Sequence, residues 1–244
     1  MKMNRSAHGG SNSVRVQGVR IGARGVQLEG ELALPKDAVG LVLFAHGSGS
    51  GRKSPRNQFV ARELRKAGLG TLLFDLLTPA EEIAERETAH LRFDIGLLSQ
   101  RLIDATVWAA REKPGLPIGY FGASTGAAAA LVAAAGFAET VRAVVSRGGR
   151  PDLAGTALPH VEAPTLLLVG SRDPQVLELN REAVAVLRCP KQLILIPGAT
   201  HLFEEPGTLE EAARLAGAWF LRHFTKPTDP EPRPEPVDVS VRGE

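Results

Sequence analysis

Ile118-Gly-Tyr-Phe-Gly-Ala-Ser-Thr-Gly126 is the stretch on which the reading of this sequence turns. Ile118 to Phe121 is a short apolar run of the strand type, and an alanine-rich segment reaching about Gly136 reads as a helix. Between them stands Gly122-Ala-Ser-Thr-Gly126, a G-x-S-x-G pattern that occurs once in the chain. A tight turn from strand into helix holds such a serine exposed in a strained conformation. The two glycines then have a steric task, because a side chain two residues before or after Ser124 would crowd the neighbouring strand and helix.

Working outward, short β-branched or aliphatic runs alternate with helical patterns on both sides of this turn. Val14 to Ile21 and Val26 to Leu34 read as an antiparallel pair joined by about four residues, Gly22-Ala-Arg-Gly25. Gly40 to Ala45 is continuously apolar, as expected for a strand buried on both faces. A helix from about Ser54 to Lys66 stops at Gly68, and strand Gly70 to Phe74 follows. Leu76 to His90 reads as a small cap or a helical turn over a site, or equally as a solvated connection. Leu91, Ile95, Leu98, Leu102, Ala105 and Ala109 share one face of a long helix running from Leu91 to about Lys113. The remainder reads as strands Val141 to Ser146, Thr165 to Val169 and Gln192 to Ile196, with helices Gln175 to Leu187 and Leu209 to Phe224. The expected class is α/β: one domain over residues 14–225, with about eight strands in a mainly parallel sheet and helices on both faces. The Gly/Ser/Asn-rich residues 1–13 and the proline-rich residues 226–244 are expected to be disordered tails.

Composition narrows the function. The 244 residues carry 29 basic and 27 acidic side chains, interspersed along most of the chain, which gives no support to a nucleic-acid or anionic-membrane role. A single cysteine, Cys189, excludes an intrachain disulfide and a CxxC metal pattern. The first fourteen residues lack the apolar stretch, about 7–15 residues long, of a secretory signal, so a cytoplasmic location is expected. The partner to look for is a small-molecule substrate.

A serine attacks an acyl carbon only if a base takes its proton, and imidazole near neutral pKa is the usual choice. Of six histidines, His201 fits best, in Pro197-Gly-Ala-Thr-His201 directly after the last strand. His46 competes by position, but beside glycines a role in shaping its loop is more natural. The third member must hold one imidazole tautomer and stabilise the cation formed on proton transfer. Asp173 stands at the end of a strand in Gly170-Ser-Arg-Asp173; the structural alternative is that it caps the helix beginning near Pro174. Asp152 and Asp75 are reserve candidates. Oxyanion donors are expected from the backbone N–H groups of Thr125 and Ser48, the latter in His46-Gly-Ser-Gly-Ser-Gly51. That loop fails the Rossmann and P-loop patterns alike, because Arg52 stands where each needs glycine. No cofactor and no metal site are expected. Arg147 and Arg150 lie at a strand end on the same edge; one of them clamps a substrate carboxylate, or both serve salt bridges such as one to Asp152.

The chain order Ser, Asp, His is that of α/β-hydrolases. At Phe44–Gly51, Gly119–Ala127, Val145–Asp152 and Pro197–Pro206 the sequence resembles the dienelactone-hydrolase-like branch of that family, with coverage from about Val14 to Phe224. Some bacterial members of the branch are joined to a phosphoribosyltransferase domain; because the hydrolase-like region fills the part expected to be ordered, no such portion is expected within these 244 residues. The resemblance implies Ser124, Asp173 and His201 as a triad. It departs at one position, since true dienelactone hydrolases carry cysteine where this chain has Ser124, which argues against dienelactone as substrate. The expected activity is cleavage of a carboxylic ester, lactone or thioester through an acyl-enzyme. An acyltransferase on the same triad and a non-catalytic binding protein are the alternatives.

Overall fold

The structure is a computed structural model that describes residues 14–225. The two expected tails lie outside the described residues. Eight strands form one sheet: β1 (Val16–Ala23), β2 (Val26–Ala33), β3 (Leu41–Ala45), β4 (Gly70–Phe74), β5 (Ile118–Ala123), β6 (Val141–Arg147), β7 (Thr165–Gly170) and β8 (Lys191–Ile196). Their spatial order is β1-β2-β4-β3-β5-β6-β7-β8. The first three in that order pair antiparallel, and every later pairing is parallel. Six helices accompany them: α1 (Pro55–Lys66), α2 (Pro79–Thr88), α3 (Ile95–Glu112), α4 (Thr125–Gly136), α5 (Pro174–Val186) and α6 (Thr208–Phe224).

Period-two alternation along the buried strands sorts the core into two layers. Leu41, Leu43, Tyr120, Val144 and Leu167 face one way, packing with Leu98, Leu102 and Ala105 of α3 and the alanines of α4. Val42, Phe44, Phe121, Val145, Leu166 and Leu168 face the other way, onto Val60 and Leu64 of α1 and Ala216 and Phe220 of α6. Helices therefore cover both faces, as the unbroken apolar strands require. The chain leaves β3 toward β4 and returns across it to β5, so the topology reverses between β3 and β5. In open α/β sheets ligands bind in the crevice at the carboxyl ends of strands at such a switch point.

Several local expectations are corrected. The β1–β2 connection is two residues, not four: Gly22 and Ala23 remain paired, and Arg24 and Gly25 both take positive φ, at 40° and 83°. Positive φ at both central residues is the geometry whose twist suits a two-residue hairpin. The long helix starts at Ile95 rather than Leu91, because Asp94 accepts a 2.9 Å bond from Leu97 N and caps it there, leaving Leu91–Phe93 as a separate 3-10 turn. Within 76–90, where a helical turn is one of the expected readings, the chain forms helix α2, set by Pro79 and by a capping box in which the Thr78 and Glu81 side chains each take the other's backbone N–H. Buried Arg101 ties α2 down, donating to Glu81 Oε1 at 2.9 Å and to Ala23 O at 2.9 Å. Among the described residues no helix is long and apolar enough to cross a membrane.

Candidate active site

Ser124 sits between β5 and α4 at φ 51° and ψ −123°, a backbone conformation that disfavours any residue with a side chain. Its surroundings hold it there. Ser124 O accepts from Ala127 N and from Arg150 N, both at 3.1 Å, and Ser124 N donates to Arg147 O at 3.4 Å. The flanking glycines do what their positions imply. A Cβ on Gly122 would lie 2.5 Å from Ala127 Cα, and one on Gly126 would lie 2.1 Å from Ala45 O. Gly47, after β3, approaches from the other side, where an added Cβ would stand 2.9 Å from the Ser124 Cβ.

Asp173 and His201 are brought together by two loops laced backbone to backbone. After β7, Ser171 N donates to Ile196 O at 3.0 Å and Arg172 N to Ala199 O at 2.9 Å, while Ser171 Oγ accepts from Gly198 N at 2.8 Å. Gly170 permits the approach, since a Cβ there would meet Ala199 O at 2.3 Å. Asp173 occupies the N-cap position of α5, but its side chain makes no capping bond. Its Oδ2 instead lies 2.7 Å from His201 Nδ1. A carboxylate only accepts, so Nδ1 carries the proton and Nε2 is left as the basic nitrogen. Gly148, at φ 52°, leaves room behind the imidazole: a Cβ there would lie 3.1 Å from His201 O and 3.6 Å from Nδ1.

Ser124, His201, Ser48 and Arg147 line one cavity of about 210 Å³. No hydrogen bond joins Ser124 Oγ to the His201 ring among the side-chain bonds of the described residues; such bonds commonly tighten only when substrate is in place. Ser48 and Thr125 meet through their hydroxyls at 3.1 Å. The Thr125 amide opens α4 and has no intrahelical acceptor, and the Ser48 amide donates to no described group. Both are therefore available at the switch point.

The remaining candidates separate. His46 is buried and fully used: Nε2 accepts from Leu76 N at 2.9 Å and Nδ1 lies 3.0 Å from Gly47 O. Burial pushes its pKa down, so it stays neutral and pins the glycine-rich loop to the end of β4. Asp152 takes a two-pronged contact from Arg150, at 2.9 and 2.7 Å. Arg150 and Asp152 are thus satisfied by each other. Asp75 pairs with Arg52. Arg147 is different: 7% exposed, its Nε and Nη1 have no partner among the described residues. Ala154–Glu162 lies largely in a 3-10 segment (Pro151–His160) that packs on α4 and α5 and does not line this cavity. Sequence reasoning missed Asn57, which the first turn of α1 delivers to the same cavity. A second, larger hollow of about 680 Å³ opens between the glycine-rich loop and α2 and shares Ser48, Ser50, Ser54 and Arg56 with the first. Among the described residues no cluster of three or more His, Cys, Asp or Glu side chains is placed to hold a metal ion.

The family model described as the dienelactone hydrolase family matches residues 29–225, which contain every residue of this site. The chain belongs to the dienelactone hydrolase family. A dienelactone hydrolase from Anabaena variabilis is 56% identical to it, with a TM-score of 0.85, covering 86% of this chain and 98% of that one. Est1E from Butyrivibrio proteoclasticus shares the fold at 17% identity and a TM-score of 0.69, covering 84% of this chain and 98% of its own. A Mycobacterium tuberculosis protein carrying the name "Putative phosphoribosyl transferase" is 58% identical over 216 residues, 88% of this chain and 48% of that protein. The chain thus spans about half the length of the curated relatives it matches. The chain has the α/β-hydrolase fold of the dienelactone hydrolase family, with serine at the elbow.

Proposed function

We propose that the protein is a hydrolase that cleaves a carboxylic ester, lactone or thioester through an acyl-enzyme on Ser124. The observation that carries the reading is the 2.7 Å Asp173–His201 contact, made by an aspartate that stands at a helix cap position and leaves the cap unmade. That contact sets Nε2 as the base beside the strained serine. In the proposed reaction, Ser124 Oγ bonds to the acyl carbon as His201 Nε2 takes its proton. The carbonyl oxygen becomes an oxyanion held by the Thr125 and Ser48 amides, which need no reorganisation to serve it. The tetrahedral intermediate then breaks its bond to the leaving oxygen or sulfur, which departs with the proton from His201. Water repeats the sequence on the acyl-enzyme, giving up its proton to His201, and Ser124 recovers it as the acid leaves. Asp173 keeps the tautomer and steadies the imidazolium without itself being protonated.

Mixing enzyme with a 4-nitrophenyl ester should release a burst of about one equivalent of nitrophenol before the slower steady state, the signature of acyl-enzyme accumulation. A panel of short acyl esters, lactones and thioesters that yields neither burst nor turnover would remove the proposal.

A further inference from the structure

Arg147 ends β6 as a buried cation whose protein contacts leave it unsatisfied. Two of its three guanidinium nitrogens, Nε and Nη1, have no partner among the described residues, and its side chain lies by the Phe203 and Phe121 rings, 5.7 and 6.0 Å from their centroids. Aromatic faces attract the charge but provide no oxygen for the N–H groups. Burial lowers its pKa to about 10, which leaves it charged at neutral pH. Three residues on, Arg150 shows how the chain satisfies a guanidinium when it needs only structure, by closing it onto Asp152. A buried charge without a counter-charge is strongly unfavourable, so the missing oxygens are expected from outside the chain.

What faces Arg147 across the cavity has matching character. The first turn of the twelve-residue α1 presents Ser54 and Asn57, the latter 3% exposed with a side chain that makes no hydrogen bond to the described residues. The positive end of the helix dipole adds to the field there. Arg56 supplies a second guanidinium, paired only with exposed Glu204 at 3.1 Å. Among the described residues no carboxylate side chain lines this cavity. At about 210 Å³ it has room for roughly seven water-sized groups, enough for a short chain bearing a charged end.

We propose that Arg147, with the first turn of α1 opposite it, binds an oxyanion of the substrate, carboxylate or phosphate, so that the natural ester carries such a group on a short chain within reach of Ser124. This rests on the acyl chemistry proposed above. The subsite selects the acid-bearing ester over its neutral counterpart and places the scissile carbonyl by its far end.

Three 4-nitrophenyl esters of similar length provide the test: butyrate, hemiglutarate and 3-phosphonopropionate. The wild-type enzyme should prefer at least one anionic ester, and whichever it prefers identifies the anion. Arg147→Met keeps a long apolar stem by the two rings and removes the donors. Its loss of kcat/KM on the preferred ester should exceed its loss on butyrate by about 10- to 100-fold, the scale of a charge-assisted hydrogen bond. Glutarate and inorganic phosphate, titrated separately, give a readout independent of turnover: at least one should raise the melting temperature of the wild type more than that of Arg147→Met. Equal loss on all three esters, or a wild type that prefers butyrate and is stabilised by neither anion, would overturn the subsite. Anion stabilisation that depends on Arg147, in a protein that turns over none of the esters, would strike the Ser124 chemistry and leave the subsite standing.

Discussion

Ser124→Ala is expected to lower ester turnover by about 10⁴- to 10⁶-fold while the protein folds as before, since loss of a nucleophile costs on that order in enzymes whose triad acts as a unit. The comparison with Ser124→Gly is more informative. At φ 51° and ψ −123° a side chain is held against its preference, and the cost of such a position is about 1–3 kcal/mol. Alanine keeps a Cβ and keeps the strain, whereas glycine relieves it at some cost in unfolded-state entropy. Ser124→Gly should therefore be as inactive as Ser124→Ala yet melt higher, by about 2–4 °C for a net gain of about 1 kcal/mol in a domain of this size. Calorimetry on the two variants beside the wild type measures it. Equal melting temperatures for the two would mean that the elbow stores no strain.

Asp173→Asn is expected to reduce kcat by about 10⁴-fold with a smaller change in KM. The reason lies in the direction of one hydrogen bond. With a carboxylate at 2.7 Å, Nδ1 of His201 must donate, and Nε2 faces the serine as a base. An amide presenting its NH₂ to the same nitrogen stabilises the opposite tautomer, with the proton on Nε2, where it cannot accept from Ser124. Stability should change little, because the Asp173 side chain caps nothing and the loops around it are joined through backbone bonds of Ser171 and Arg172. A large fall in melting temperature would reassign Asp173 to a structural role.

How far the sequence carried these conclusions depends on how local each signal is. The elbow was legible because strand, turn and helix adjoin in the chain, and because Gly122 and Gly126 answer to contacts with near neighbours and with the strand beside them. Eight strands and their mostly parallel arrangement followed from apolar runs broken by helical periodicity. His201 and Asp173 were legible as residues that follow strands β8 and β7. Their 2.7 Å approach depends on Gly170 admitting the His201 loop, a contact no periodicity encodes. Arg147 and Arg150 looked alike in Ser146-Arg-Gly-Gly-Arg150. They divide because Arg150 turns back to Asp152, two residues away, while the Arg147 side chain enters the layer of Phe121 and Phe203. Asn57 carried no signal as a cavity residue, because its place follows from the packing of α1 against β4 and α6. Leu91 fitted the helical face by spacing, yet Asp94 N-caps the helix three residues later; a cap depends on side-chain geometry that apolar spacing does not register.

The direct measurement is covalent capture of the nucleophile by a fluorophosphonate, followed by peptide mapping. The folded protein should take up about one equivalent on Ser124, the heat-unfolded protein none, and His201→Ala should react far more slowly, since the serine is activated only by an adjacent base. A folded protein that remains unlabelled, or that carries the adduct on a different serine, would contradict the account.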